Sequence, residues 1–469
     1  MRKTKIVCTL GPSTDDNHVL RQMLLSGMNV ARLNFSHGDY ESHRERVESF
    51  KKIRNELSIP AALLLDTKGP EVRIKTFKDK KVTLVKGQKF TLTTDEVEGT
   101  NEIVSITYKK LPFDISIGSK VLLDDGNILM IVTEISGPNI VCQVKNGGIL
   151  SDRKSMNLPG IELYMPYMDD VDKNDVLFGI ENDFDYVAAS FVRRADDVNT
   201  MRKFLDENGG SHIEIIAKIE NRDGVDNIDE IINASAGIMV ARGDMGVEID
   251  FEELPIIQKM LIKKCYTAGK RVITATQMLE SMITNPRPTR AETSDVANAV
   301  YDGTSAVMLS GETAVGQYPV ETVKTMASIV RSAENDIDYI KRFNLATLAT
   351  PTVSDAISHA TCTTAHDLSA RAIIVVTRTG TTARMVSKFR PDVPIIAATT
   401  SESTYRKLAL SWGVYPIMAD VQSNSDALFD HAVKRACDND LISKNDIVVI
   451  ESGTPQGHGS NMLKVQTVK

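Results

Sequence analysis

Residues 215–242 read IIAKIENRDGVDNIDEIINASAGIMVAR. An apolar run, IIAKIE (215–220), passes through a helix-like stretch into a second run, GIMVAR (237–242). Near-continuous apolar runs mark strands buried on both faces, and their alternation with helices implies a parallel sheet. The unit recurs on either side. Upstream lie KIVCTL (5–10), NVARLN (29–34), ALLLDT (62–67) and YVAASF (186–191), and downstream lie VITATQ (272–277) and SAVMLS (305–310). Eight strands, all but one pair spaced by a single βα unit, predict a (β/α)8 barrel of the TIM type, for which about 250 residues is typical.

The exception is the gap between the third strand, ending at residue 67, and the fourth, ending at residue 191. Beyond one βα unit it leaves roughly 95 residues, enough for a small domain. Its runs, such as KKVTLVKGQKFTLTT and NILMIVTEISGPNIVCQVKNGG, alternate apolar and polar residues with Gly punctuation and read as antiparallel β structure. The sequence thus predicts an inserted β-barrel-like domain over 70–165, hinged at Gly69-Pro70 and at Asn157-Leu158-Pro159-Gly160. The catalytic barrel would comprise 1–69 and 166–344. After a helix at about 320–337, the runs AIIVVT (372–377), PIIAAT (394–399), VYPIMA (414–419) and DIVVIE (446–451) predict a C-terminal α/β domain over 345–469.

Length and composition narrow the function classes. A chain of 469 residues exceeds what one hydrophobic core supports. With 42% apolar and 25% charged residues it reads as globular, and a net charge of −7 offers no footprint for nucleic acid or an anionic membrane. No apolar run reaches a membrane span, and the start, MRKTKIVCTLGPST, is too short in apolar residues for a signal peptide. Five scattered cysteines without a CxxC pair read as reduced, which places the protein in the cytoplasm.

Active sites of such barrels lie at the C-terminal ends of the strands. Here those ends are polar: Arg32, Asn34 and Ser36; Asp66, Thr67 and Lys68; Lys218 and Glu220; Arg242, Gly243 and Asp244; Thr276 and Gln277; Ser310 and Glu312. One such pair reads as an ordinary ion pair; six of eight strand ends do not. Glu220 and Asp244 are hard oxygen donors on neighbouring strands and suit Mg²⁺ or Mn²⁺, while the lack of histidine there argues against zinc. Lys218, Arg32 and Arg73 add fixed positive charge, which is the equipment for phosphoryl transfer. No GxxxxGK[ST] run is present, so the site is not of the Walker type. Asn34, Ser36, Asp66 and Thr67 form a further oxygen cluster suited to a large, weakly hydrated cation. Pro286-Arg-Pro-Thr289-Arg-Ala-Glu292 predicts a helix start with Thr289 as N-cap and Glu292 closing a capping box. MGVEIDFEEL, after Asp244, predicts a loop-to-helix entry whose free amides suit a carboxylate or phosphate.

These residues carry a resemblance. MNVARLNFSHG (28–38), LLDTKGPEVR (64–73), AKIEN (217–221), MVARGDMGVEI (239–249) and the 45-residue stretch ATQMLESMITNPRPTRAETSDVANAVYDGTSAVMLSGETAVGQYP (275–319) closely resemble the pyruvate kinase family, in its bacterial form without an appended phosphohistidine-type domain. The resemblance implies phosphoryl transfer from phosphoenolpyruvate to ADP, giving pyruvate and ATP, the last step of glycolysis. Position by position, it implies that Glu220 and Asp244 hold Mg²⁺, that Lys218 and Arg32 contact the phosphoryl group, and that Gly243, Asp244 and Thr276 seat the substrate carboxylate. Thr276 through water, or a relay including Ser294, would protonate the enolate. Asn34, Ser36, Asp66 and Thr67 would hold K⁺, and Glu71 goes with potassium dependence unless it merely pairs with Arg73. Arg73 and Lys154 would contact the nucleotide, which brings a second Mg²⁺, under an inserted domain that closes as a lid. An effector, a phosphorylated sugar or AMP, would bind at Thr377, Arg378, Thr379, Gly380, Thr381 and Thr382, with Arg384 one turn on and the loop Ser452–Ser460 folding over it. The resemblance also implies a homotetramer. A Mg²⁺-dependent carbon–carbon lyase would share the paired carboxylates but has no use for Lys218 beside Glu220 or for nucleotide contacts. A catalytically dead regulator would lack Lys218 or a metal carboxylate.

Overall fold

A computed structural model describes residues 1–161, 163–344, 352–453 and 460–469. All eight barrel strands form: β1 (Lys5–Thr9), β2 (Val30–Asn34), β3 (Ala62–Asp66), β4 (Tyr186–Ala189), β5 (Glu214–Ile219), β6 (Gly237–Ala241), β7 (Arg271–Ala275) and β8 (Ala306–Leu309). They close into one parallel ring in chain order, with β8 returning to β1 through Lys5↔Ala306 to Cys8↔Leu309. The strands read as unbroken apolar runs because both faces are buried. Val7, Leu64, Tyr186, Ile216, Met239 and Met308 fill the interior, while Ile6, Cys8, Leu63, Leu65, Ile215 and Val307 pack outward under the helices. The helix Arg290–Asp302 begins with the expected capping box between Thr289 and Glu292 and ends at Gly303, whose φ of +97° is open to glycine.

The inserted segment builds a six-stranded sheet in the spatial order Met156–Asn157, Lys120–Leu123, Ile128–Ser136, Asn139–Val144, Lys89–Thr93, Ile103–Ser105, with a ribbon of Lys81–Leu84 and Gly148–Ser151. Both wrap one core around Phe90, Leu123, Ile140 and Leu150. One pairing departs from the antiparallel expectation. Lys89–Thr93 and Ile103–Ser105 run parallel, because residues 94–102 carry the chain back before it pairs.

In the C-terminal domain β9 (Ala372–Val376), β10 (Ile395–Thr399), β11 (Val414–Met418) and β12 (Ile447–Ser452) are parallel in the order β11-β10-β9-β12. A fifth strand, β13 (Met462–Thr467), joins the edge antiparallel to β12. Residues 345–351, where the C-terminal domain was expected to begin, lie outside the described residues.

This domain seals the N-terminal end of the barrel. Leu410 enters the barrel's interior core, and Tyr186 Oη donates to Lys407 O at 2.6 Å. Lys5 Nζ donates to Val414 O at 2.6 Å, and Arg406 pairs with Asp185 at 2.8 Å. At the opposite end the strands terminate in polar residues, and there Asn157 of the inserted domain meets Glu248. Among the described residues no helix is long and apolar enough to cross a membrane.

Candidate active site

Strand β5 carries Lys218 and ends one residue before Glu220, and the charged groups of the two lie 3.0 Å apart. Lys218 Nζ also donates to Asp66 Oδ1 at 3.0 Å and to Ser190 Oγ at 2.7 Å. Asp66 is shared: its Oδ2 accepts from Arg32 Nε at 2.6 Å, and Arg32 donates further to Thr9 Oγ1 at 2.8 Å. The register between β2 and β3, Asn34↔Asp66, sets Asn34 beside this pair. Ser190 Oγ donates to Thr67 O at 2.6 Å, so the lysine, the aspartate and Thr67 form one buried network. Strand β2 ends at Asn34, so Ser36 lies beyond the strand. It sits exposed in the following turn, where its amide donates to Asn34 Oδ1 at 3.2 Å.

Electrostatics follow from burial. Lys218 is 9% exposed. Burial works against its charge, but Asp66, Glu220 and Asp244 outweigh it and raise its pKa. Burial works against the Asp66 carboxylate as well, and Arg32 and Lys218 more than offset it, holding Asp66 below the usual range. Glu220 is fully buried, and its carboxyl is pushed up to about 8, first by burial and further by Asp244, with Lys218 opposing. Its Oε2 accepts from Phe191 N at 2.6 Å, and its Oε1 is the oxygen that faces the Lys218 ammonium at 3.0 Å. The half-buried Asp244 carboxylate has no hydrogen bond or ion pair among the described residues.

Two carboxylates on neighbouring strand ends, one of them with no hydrogen bond or ion pair among the described residues, suit a hard dication. No group of three or more His, Cys, Asp or Glu side chains able to hold a metal occurs among the described residues. Two carboxylates suffice for Mg²⁺, which takes its remaining ligands from water and substrate.

Helix Arg242–Glu248 starts directly at the end of β6, so the amides of Gly243 and Asp244 lie in its first turn. Gly243 N donates to Thr276 Oγ1 at 2.8 Å, which brings the predicted carboxylate seat together. Ser294 is exposed and its hydroxyl makes no hydrogen bond among the described residues, so it is not joined to Thr276. Arg73 and Lys154 stay within the inserted domain. Arg73 holds Glu71 at 2.7 Å and Arg153 O at 2.7 Å, while Lys154 holds Asp124 at 2.6 Å. The Glu71–Arg73 pair is the plainer of the two readings of Glu71, and burial raises the Glu71 carboxyl against the pull of Arg73. Asn157 Nδ2 donates to Glu248 Oε1 at 3.0 Å, tying the inserted domain to the helix that bears Asp244.

At the C-terminal domain, Gly380 caps helix Thr381–Lys388 at φ +79°, and Gly380 N donates to Thr377 Oγ1 at 3.0 Å. Arg384 donates to Thr379 O at 3.2 Å and to Thr381 Oγ1 at 3.1 Å. Arg378, Thr379 and Thr381 are exposed, but Thr382 is buried. Residues 454–459 of the glycine-rich loop lie outside the described residues.

Sequence reasoning missed Ser190 and gave Arg242 no role. Ser190 was visible as the polar end of YVAASF, and Arg242 as the polar end of β6, but their partners come from other strands. Residues 1–323 match the family description "Pyruvate kinase, barrel domain" and residues 355–466 match "Pyruvate kinase, alpha/beta domain". The chain is 49% identical over 473 residues to a pyruvate kinase of Clostridium acetobutylicum, covering 100% of both. It is 49% identical over 472 residues to one of Geobacillus stearothermophilus, covering 100% of this chain and 80% of the relative. A crystal structure of a pyruvate kinase from Cryptosporidium parvum superposes with a TM-score of 0.95 at 41% identity, covering 100% of this chain and 96% of the other.

Proposed function

The chain belongs to the pyruvate kinase family and is a phosphotransferase acting between phosphoenolpyruvate and ADP, and from that premise we propose how its own residues perform the transfer. The observation that carries the reading is the Lys218 ammonium, kept charged among Asp66, Glu220 and Ser190 at the C-terminal end of the barrel strands. A preorganised cation there opposes the negative charge that develops on the phosphoryl oxygens and on the enolate. Arg32, braced by Asp66 and Thr9, contacts the same phosphoryl group. The amides of Gly243 and Asp244 and the Thr276 hydroxyl seat the substrate carboxylate. Thr276 through water, or a relay including Ser294, returns a proton to the enolate.

Glu220 and Asp244 would hold Mg²⁺ or Mn²⁺, which when bound neutralises phosphoryl charge. Asn34, Ser36, Asp66 and Thr67 would hold K⁺, which adds positive potential at the same place. Arg73 and Lys154 leave their partners in the inserted domain to meet the nucleotide phosphates, and closure of that domain excludes water from the donor. A phosphorylated sugar or AMP binds at Thr377–Thr382 as an activator. The working unit is a homotetramer in the cytoplasm.

Replacing Lys218 by Met keeps the stem and removes the charge. Turnover should fall by at least about 10²–10³, the scale for one preorganised donor. Stabilisation of the protein by phosphoenolpyruvate in thermal melts should persist. A Lys218→Met enzyme that keeps most of its turnover would show that the charge plays no part in the transfer.

A further inference from the structure

Strand β7 runs into two consecutive non-glycine residues with left-handed backbone, Thr276 at φ +66° and Gln277 at φ +53°. For a β-branched threonine this conformation is disfavoured, and it persists only where the surroundings over-determine it. The group that does so is the Arg242 guanidinium. Its Nε donates to Ala275 O at 3.2 Å and its Nη2 to Thr276 O at 2.6 Å. Its Nη1 donates to both carboxylate oxygens of Asp295, at 2.8 and 2.7 Å. The arginine side chain is 14% exposed, and Asp295 reaches it from helix Arg290–Asp302. One planar group therefore fixes the end of β7 against the end of β6 and the following helix.

The Thr276 hydroxyl is committed on both sides. It donates to Ala275 O at 2.6 Å and accepts from Gly243 N at 2.8 Å. To reach a substrate carboxylate it must turn away from the Ala275 carbonyl, which would be left short of a donor were Arg242 not already bonded to it.

We propose that Arg242, anchored by Asp295, is a positioning residue: it holds the strained Thr276–Gln277 turn so that the Thr276 hydroxyl and the Gly243 amide form one seat for the substrate carboxylate. The proposal rests on the reading that this seat takes phosphoenolpyruvate. The fork matters rather than the charge. A lysine would keep the positive charge but cannot serve two carbonyls and a bidentate carboxylate in one plane.

The test is steady-state kinetics of Arg242→Lys and Asp295→Asn with each substrate varied in turn, alongside thermal melts. The KM for phosphoenolpyruvate should rise about tenfold or more in Arg242→Lys and less in Asp295→Asn, with the KM for ADP unchanged and the melting temperature close to that of the parent. An unchanged KM for phosphoenolpyruvate in Arg242→Lys would show that charge alone suffices and overturn the proposal. A parallel rise in both KM values with a lowered melting temperature would also overturn it, because the pair would then be merely structural. If Arg242→Lys does not fold, Asp295→Asn decides between the same outcomes. A parent protein that forms no pyruvate would sink the underlying reading instead, and that result is seen before any variant is made.

Discussion

Two buried lysines on barrel strands show how neighbours decide charge. Lys218, at the mouth, faces Asp66 and Glu220 and is held in its charged form. Lys5, at the sealed end, donates to the Val414 carbonyl and lies 4.7 Å from the centre of the Tyr415 ring, with no ion pair among the described residues. Burial, with Arg2 adding to it, lowers its pKa to about 7 from 10.5. The sign follows from linkage: between about pH 7 and 10.5 the unfolded chain binds a proton that the folded one does not, so stability rises with pH across that window. Below pH 7 the cost is fully present, on the order of 3–5 kcal/mol at 1.36 kcal/mol per pKa unit. Lys5→Met should therefore melt above the parent at pH 7, with the gap narrowing toward pH 10. A gap constant across that range would place the Lys5 pKa elsewhere. At this scale the sequence was uneven. Lys218 and Glu220 were legible as polar residues at the end of an apolar run, the lysine on the strand and the glutamate one residue past it. Ser190 and Arg242 were not, because what they do is set by the ends of neighbouring strands.

At the scale of elements, helix Thr381–Lys388 joins the proposed effector loop to the barrel. Arg384, which grips Thr379 and Thr381, also lies 3.8 Å from Glu214, the first residue of β5, whose far end carries Lys218. Glu214 is itself paired with Arg271. Because Thr382 is buried, a charge belongs at exposed Thr381 alone. Thr381→Glu should abolish activation by a sugar phosphate or AMP, a response expected to span about 5–150-fold in apparent affinity for phosphoenolpyruvate. Turnover at saturating substrate should stay as in the parent. An unaltered response at the same effector concentration would place the site elsewhere. Elements buried on both faces were legible because their apolar runs are continuous. The edge strand β13 was not, since its residues are half-buried or exposed and carry no such run. The parallel pair in the inserted domain escaped too, since period-two patterning does not encode direction.

The whole molecule divides its labour between the two ends of the barrel. The C-terminal domain seals the N-terminal ends of the strands through Leu410, Lys407 and Arg406, while the inserted domain stands by the chemical end through Asn157 and Glu248. That plan was legible because each domain has its own texture of periodicity. What the sequence could not give is which charges pair at rest: Arg73 with Glu71 and Lys154 with Asp124, both of which the account requires to be released toward the nucleotide. Transfer of the phosphoryl group from phosphoenolpyruvate to ADP is open to one direct measurement. The purified protein is mixed with phosphoenolpyruvate, ADP, Mg²⁺ and K⁺, and pyruvate, ATP and inorganic phosphate are followed together. One ATP should appear for each pyruvate, with no pyruvate formed when ADP is left out. Pyruvate released with inorganic phosphate in the absence of ADP, or no pyruvate at all, would contradict the account.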